Sequence, residues 1–264
     1  MNVGAGMASP ADLLAGCEPW SHVAGSSVGV LVVHGFTGTP ASVRGIAEAM
    51  AGAGYDVELP RLPGHGTTIS DMLATDWSDW TGEVSRALER LTARVAHVVA
   101  VGQSMGGTLV LRAALDHSAI RALVCVNPLT RVRDAETMAM LDDLLEDAIA
   151  VAPGEGSDIA DPDSSDIAYS GTPISPLKSL LLDGVAPIAD RYGEIMVPLR
   201  LFTSRNDHVV EPADSEYLAA AYGGPVEHTW LERSYHVATR DYDRDLIATE
   251  SLDFVAKMIR SVDQ

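Results

Sequence analysis

Four short apolar runs, at residues 29–33, 55–59, 97–101 and 122–126, alternate with stretches of helical spacing and constrain this chain's fold more than any other feature. Their apolar content is nearly continuous, as in strands buried on both faces, which predicts a mostly parallel α/β sheet with helices on either side. Residues 40–53, 77–94 and 106–117 supply the covering helices, with Pro40 near a helix start. The rhythm returns late in the chain, with strands expected at 199–203 and 226–231 and a closing helix at about 244–259.

Between residues 131 and 195 the alternation breaks down. Residues 138–152 read as a helix, 153–173 are rich in Gly, Pro, Ser and Asp, and 177–192 look helical again. An insertion placed between core strands commonly forms a lid or a substrate wall. A single domain over residues 1–264, carrying this local insertion at 131–195, accounts for the whole length.

Composition narrows the partners. With 37 acidic against 18 basic residues the formal charge is −19, which repels phosphate backbones and anionic lipid, so nucleic acid is an unsuitable partner and a strongly anionic substrate is disfavoured. No apolar run reaches bilayer-spanning length, which predicts no integral membrane segment. Cys17 and Cys125 stand far apart, and no disulfide framework is expected. Leu14-Ala15-Gly16-Cys17 imitates a lipoprotein cleavage site, yet no Lys or Arg precedes it and no adequate apolar stretch leads into it, so a cytoplasmic location is expected.

The sharpest local signal is Gly102-Gln103-Ser104-Met105-Gly106-Gly107, directly after one expected strand and directly before a helical segment. A nucleophile elbow requires that context: the chain must turn tightly enough to lift a serine hydroxyl above the sheet, and glycines stand where a Cβ would collide. Serine needs a base, and the base an acid that fixes its tautomer. In such folds the acid and then the base follow the serine at carboxyl ends of parallel strands, which selects Asp207 after the strand at 199–203 and His236 after that at 226–231. His208 and His228 read as structural or surface histidines, and Asp241 and Asp243 come after His236, against the expected order.

Ester hydrolysis passes through an oxyanion that two backbone N–H groups can hold. Met105, directly after the serine, supplies one candidate, and Phe36 in His34-Gly35-Phe36-Thr37-Gly38 the other, with its ring lining the acyl pocket. His65, in Arg61-Leu62-Pro63-Gly64-His65-Gly66-Thr67, reads as structural. No His-x-x-x-His or Cys-x-x-Cys spacing occurs, and such a triad requires no cofactor and no metal.

With these residues in place, the chain closely resembles the bacterial monoacylglycerol lipases and small thermostable carboxylesterases of the α/β-hydrolase superfamily. The likeness is carried by residues 34–40, 59–67, 103–108 and 207–210 and by Ser234-Tyr235-His236-Val237-Ala238-Thr239. It implies an α/β-hydrolase fold, Ser104 as nucleophile, Asp207 and His236 as the relay, Phe36 and Met105 as oxyanion donors, and 131–195 as a small cap over an acyl tunnel. It further implies cleavage of monoacylglycerols or short to medium aliphatic esters through an acyl-enzyme. A general carboxylesterase, another acyl-transfer enzyme, or a non-catalytic receptor on the same fold are the alternatives. A carboxylate-nucleophile chemistry is excluded because residue 104 is serine.

Overall fold

The computed structural model describes residues 13–154 and 156–262. The first half runs β1 (Trp20–His22), β2 (Val28–Val33), α1 (Pro40–Gly52), β3 (Asp56–Leu59), α2 (Ile69–Leu73), α3 (Trp77–Thr92), β4 (His97–Gln103), α4 (Met105–Asp116) and β5 (Ile120–Val126). There follow α5 (Ala135–Glu146), β6 (Val151–Pro153), β7 (Gly171–Pro173), α6 (Ile174–Ser179), a π-helical turn (Leu180–Val185) and α7 (Ala186–Ala189). The chain closes with β8 (Leu199–Ser204), α8 (Pro212–Ala221), β9 (Val226–Leu231) and α9 (Arg244–Val262).

Seven strands form one sheet in the order β1-β3-β2-β4-β5-β8-β9, parallel except where β1 runs antiparallel to β3. Every residue of β2 is buried, because its two faces feed two cores. Val30 and Val32 belong with Ile46 and Met50 of α1 and Phe254 and Val255 of α9. Leu31 and Val33 belong with Trp80 and Leu91 of α3 and Leu109 of α4. The period-two alternation of a strand thus sorts its valines between the two helical layers. Capping sets where those layers start: the Asp76 carboxylate accepts from Ser78 N–H at 2.8 Å and Asp79 N–H at 3.3 Å ahead of α3, and Pro40 follows the capping Thr39 at α1.

The path from β2 through α1 turns to β3 on one side, whereas β4, β5, β8 and β9 extend the sheet on the other. Val33 pairs with Gly102, so the loops leaving β2 and β4 lie side by side at this switch point, where open α/β sheets form their sites.

Between β5 and β8 the chain leaves the sheet for residues 127–198. Here the helix expected at 138–152 is displaced. Asp134 accepts from Thr137 N–H at 2.8 Å and starts α5 at Ala135, three residues earlier, and the left-handed Ala148 (φ 59°) ends the turn after Glu146. Residues 151–153 pair instead with 171–173 as a two-stranded antiparallel ribbon. The run Ile149-Ala150-Val151-Ala152 has the composition of a helix continuation, but Val151 suits a strand and Pro153 cannot extend a helix ladder. The helical run expected at 177–192 begins at Ile174 and is broken by the π turn. Among the described residues, no helix is long and apolar enough to cross a membrane, and Cys17 and Cys125 are both free and buried.

Candidate active site

Ser104 sits between β4 and α4 with φ 55° and ψ −122°, a backbone conformation that costs a residue bearing a Cβ of order 1–3 kcal/mol. Two glycines make the turn possible. A Cβ on Gly102 would lie 2.2 Å from Gly106 O, and one on Gly106 2.2 Å from Val33 O, so α4 approaches β2 more closely than any side chain permits. The Ser104 N–H is tied to Val126 O at 3.0 Å, while its hydroxyl makes no capping bond to the helix it heads. The turn therefore fixes the position of Ser104 Oγ without a bond from that hydroxyl to the helix it heads.

Asp207 lies in the loop after β8. Its Oδ1 accepts Val209 N–H at 2.9 Å and Val210 N–H at 2.8 Å, which aims Oδ2 at His236 Nδ1, 2.8 Å away. Both side chains are buried, at 1% and 9% exposure, so water competes little for that bond. A proton shared at Nδ1 leaves Nε2 as the basic nitrogen of the neutral ring.

The backbone of His236 is held from beneath by residues that sequence reasoning did not select. Its carbonyl accepts from Asn127 Nδ2 at 2.9 Å and Gln103 Nε2 at 3.4 Å. Asn127, left-handed at φ 46°, also accepts Ser204 N–H through Oδ1 at 2.7 Å, stitching the ends of β5 and β8 to the His236 loop. Its place directly after the carboxyl end of a parallel strand was the available signal.

Phe36 follows β2. Its ring lines the cavity over Ser104 and meets Trp80 edge-on at 5.9 Å. The preceding peptide is pinned: buried His34 donates from Nδ1 to Gly35 O at 3.0 Å and accepts Leu62 N–H at Nε2 at 3.1 Å, which fixes one neutral tautomer. In a trans peptide the Phe36 N–H points opposite to that pinned carbonyl. Met105 is the first residue of α4, where N–H groups have no intrahelical acceptor, and its side chain is buried. Among the described residues neither N–H has a backbone acceptor. Burial holds His34 well below the usual histidine range and lowers His65 to about 4; His65 stays buried, its Nδ1 2.9 Å from Pro63 O. His228 meets Thr203 Oγ1 from within β9 at 2.8 Å, and His208 meets Asp158.

Ser104, Phe36 and His236 open on one cavity of about 550 Å³, within the range of small-molecule sites. Part of its wall is apolar and comes from residues 127–198: Leu141, Leu177, Leu180 and Leu181. Another part is polar and gathers near α1, where the Asp166 carboxyl accepts Ser42 Oγ–H at 2.7 Å and Tyr169 N–H reaches Thr37 O at 3.2 Å. Burial raises the Asp166 pKa, and its Oδ1 has no hydrogen-bond partner among the described residues.

A model of the alpha/beta hydrolase fold matches residues 29–166, and the chain is 38% identical over 254 residues to the thermostable monoacylglycerol lipase of Bacillus sp. (strain H-257), covering 93% of this chain and 96% of that protein. The chain belongs to the α/β-hydrolase family. This hydrolase is also similar to the carboxylesterase of Bacillus subtilis (strain 168), at 26% identity over 236 residues, 89% of this chain and 94% of that one. Among solved structures, one reported with the metagenome-derived lipolytic enzymes LipS and LipT superposes with a TM-score of 0.86 at 40% identity, covering 93% of this hydrolase and 99% of that chain.

Proposed function

We propose that this hydrolase cleaves carboxylic esters through an acyl-enzyme, with monoacylglycerols as its substrate class. Ser104 is the nucleophile, His236 the general base, Asp207 the group that orients it, and Phe36 and Met105 N–H the oxyanion donors. The observation that carries this reading is the buried 2.8 Å Asp207–His236 pair, whose histidine opens on the same cavity as a serine on a glycine-permitted elbow. His236 takes the serine proton as Oγ attacks the ester carbonyl, then returns it to the departing alcohol; water repeats the sequence and frees the acid.

The cavity chemistry supports the substrate. Residues 131–195 act as a cap whose leucines cover an acyl chain, and the polar part of the cavity wall, with Ser42, Asp166 and Tyr169, suits the hydroxyl-bearing alcohol part of a monoacylglycerol. A chain of formal charge −19 suits an uncharged ester, and nucleic acid has no place among its partners. The carboxylesterase and lipolytic relatives are consistent with ester cleavage by the same site.

The test is turnover of p-nitrophenyl esters of increasing length beside 1-monoacylglycerols and triacylglycerols, for wild type and Ser104→Ala. Preference for medium-chain monoacylglycerols, lost by about 10⁴-fold or more in the variant with its fold intact, is the expected result. Turnover confined to the shortest esters would make it a general carboxylesterase. Near-full activity of Ser104→Ala would overturn the nucleophile assignment.

A further inference from the structure

The carbonyl side of His236 is held by Asn127 and Gln103, both rooted in the strand ends. Its N–H side is held by a residue from elsewhere. Asp158, between β6 and β7, accepts His236 N–H at 3.0 Å through Oδ2. The same oxygen accepts His208 N–H at 3.1 Å, next to Asp207, while Oδ1 meets His208 Nδ1 at 2.8 Å. The Asp158 carbonyl accepts Val237 N–H at 3.0 Å. One residue of the excursion thus bonds two consecutive amides of the base loop and one amide of the acid loop, while lining the cavity itself.

We propose that Asp158 is a positioning residue that makes the excursion part of the catalytic frame, so that His236 and Asp207 are in register only while residues 128–198 are seated on the sheet. This rests on the reading of His236 as the base. Without the Asp158 carboxylate the His236 and His208 N–H groups lose their acceptor, only the backbone bond to Val237 N–H remains on that side, and the imidazole is free to pivot about its anchored carbonyl. A displacement of about 1 Å at a reacting group costs on the order of 10²-fold in rate. Substrate seated against the apolar wall of the excursion would by the same bonds steady the base.

The acceptor geometry, not the charge, is what the frame uses. An asparagine at 158 can offer its oxygen to both amides and its NH₂ to His208 Nδ1, whose other tautomer accepts it. Asp158→Ala and Asp158→Glu remove or misplace the acceptor. With p-nitrophenyl butyrate as probe, Asp158→Ala should lower kcat by about 10- to 100-fold with KM within about threefold of wild type, and Asp158→Asn should restore kcat to within about threefold. Should the alanine chain fail to fold, Asp158→Glu takes its place with the same expected loss.

An unchanged kcat in a folded Ala or Glu variant overturns the inference, as does a loss appearing only in KM, which would reduce Asp158 to cavity wall. An asparagine enzyme as slow as the alanine one also overturns it, because charge would then be acting. In each of these cases the wild-type and Ser104→Ala activities still stand. Absence of ester turnover in wild type would instead remove the function on which the inference rests.

Discussion

The two anchors of His236 come from unlike parts of the molecule. The carbonyl anchor belongs to the strand frame, where β4 and β5 are buried along nearly their whole length and paired on both sides. The N–H anchor belongs to the excursion, where among the described residues α5 fully buries Leu141 alone and β6 and β7 form a two-stranded ribbon. The placement of His236 therefore rests on a rigid half and a lightly packed half. Frames of the first kind open only with global unfolding, whereas segments of the second kind open locally at much lower cost.

The frame should be the less forgiving half. Gly106→Ala places a Cβ 2.2 Å from the Val33 carbonyl oxygen, and neither backbone can yield without parting α4 from β2. We expect a loss of about 3 kcal/mol or more, read by urea unfolding. A variant of wild-type stability would show that the elbow is softer than the strands around it and would erase the contrast.

Acid should act on the same half. The unfolded chain protonates His65 near 6.5, the folded protein only near 4, so between these values the unfolded state binds more protons and stability falls as pH is lowered. That contribution is fully present above about 6.5 and amounts to about 3 kcal/mol lost by pH 4. His34, also held low by burial, acts in the same direction, whereas residues 131–195 contain no histidine. Urea unfolding from pH 7.5 to 4.5 should show this slope, and His65→Gln should flatten part of it. An unchanged slope in that variant would place the acid sensitivity elsewhere.

The smallest effect is expected in the excursion. Leu141→Ala removes the buried contact of α5 and should cost about 2 kcal/mol, at the low end for a buried leucine because so little packs around the helix. Hydrogen exchange should show α5 amides opening ahead of those of β2 and β4, and the variant should widen that gap. Equal protection of both regions would mean that the excursion is as firmly built as the sheet.

The same division governed what could be read from the sequence. Strands of the frame were legible because burial on both faces demands near-continuous apolar runs, and the elbow because close approach admits only glycine at 102 and 106. Asp207 and His236 follow from their positions at strand ends, and the two side chains meet at 2.8 Å. In the excursion, the partners of 151–153 lie at 171–173, across a polar stretch, and no local period announces such pairing. Asp158 and Asp166 were invisible for a related reason. Each is one carboxylate among several in residues 158–166, and what distinguishes them is the remote groups they meet, His236 and Ser42. Asn127 was open to discovery, since polar residues ending parallel strands are site candidates by position alone.

Ser104 holds a left-handed backbone that glycine adopts without penalty. A glycine at 104 would relax the elbow, so a laboratory selection for heat resistance alone would favour discarding the serine proposed as nucleophile. Hardening this protein for use at high temperature would have to draw its gains from the excursion's loose packing and leave the turn at 104 under tension.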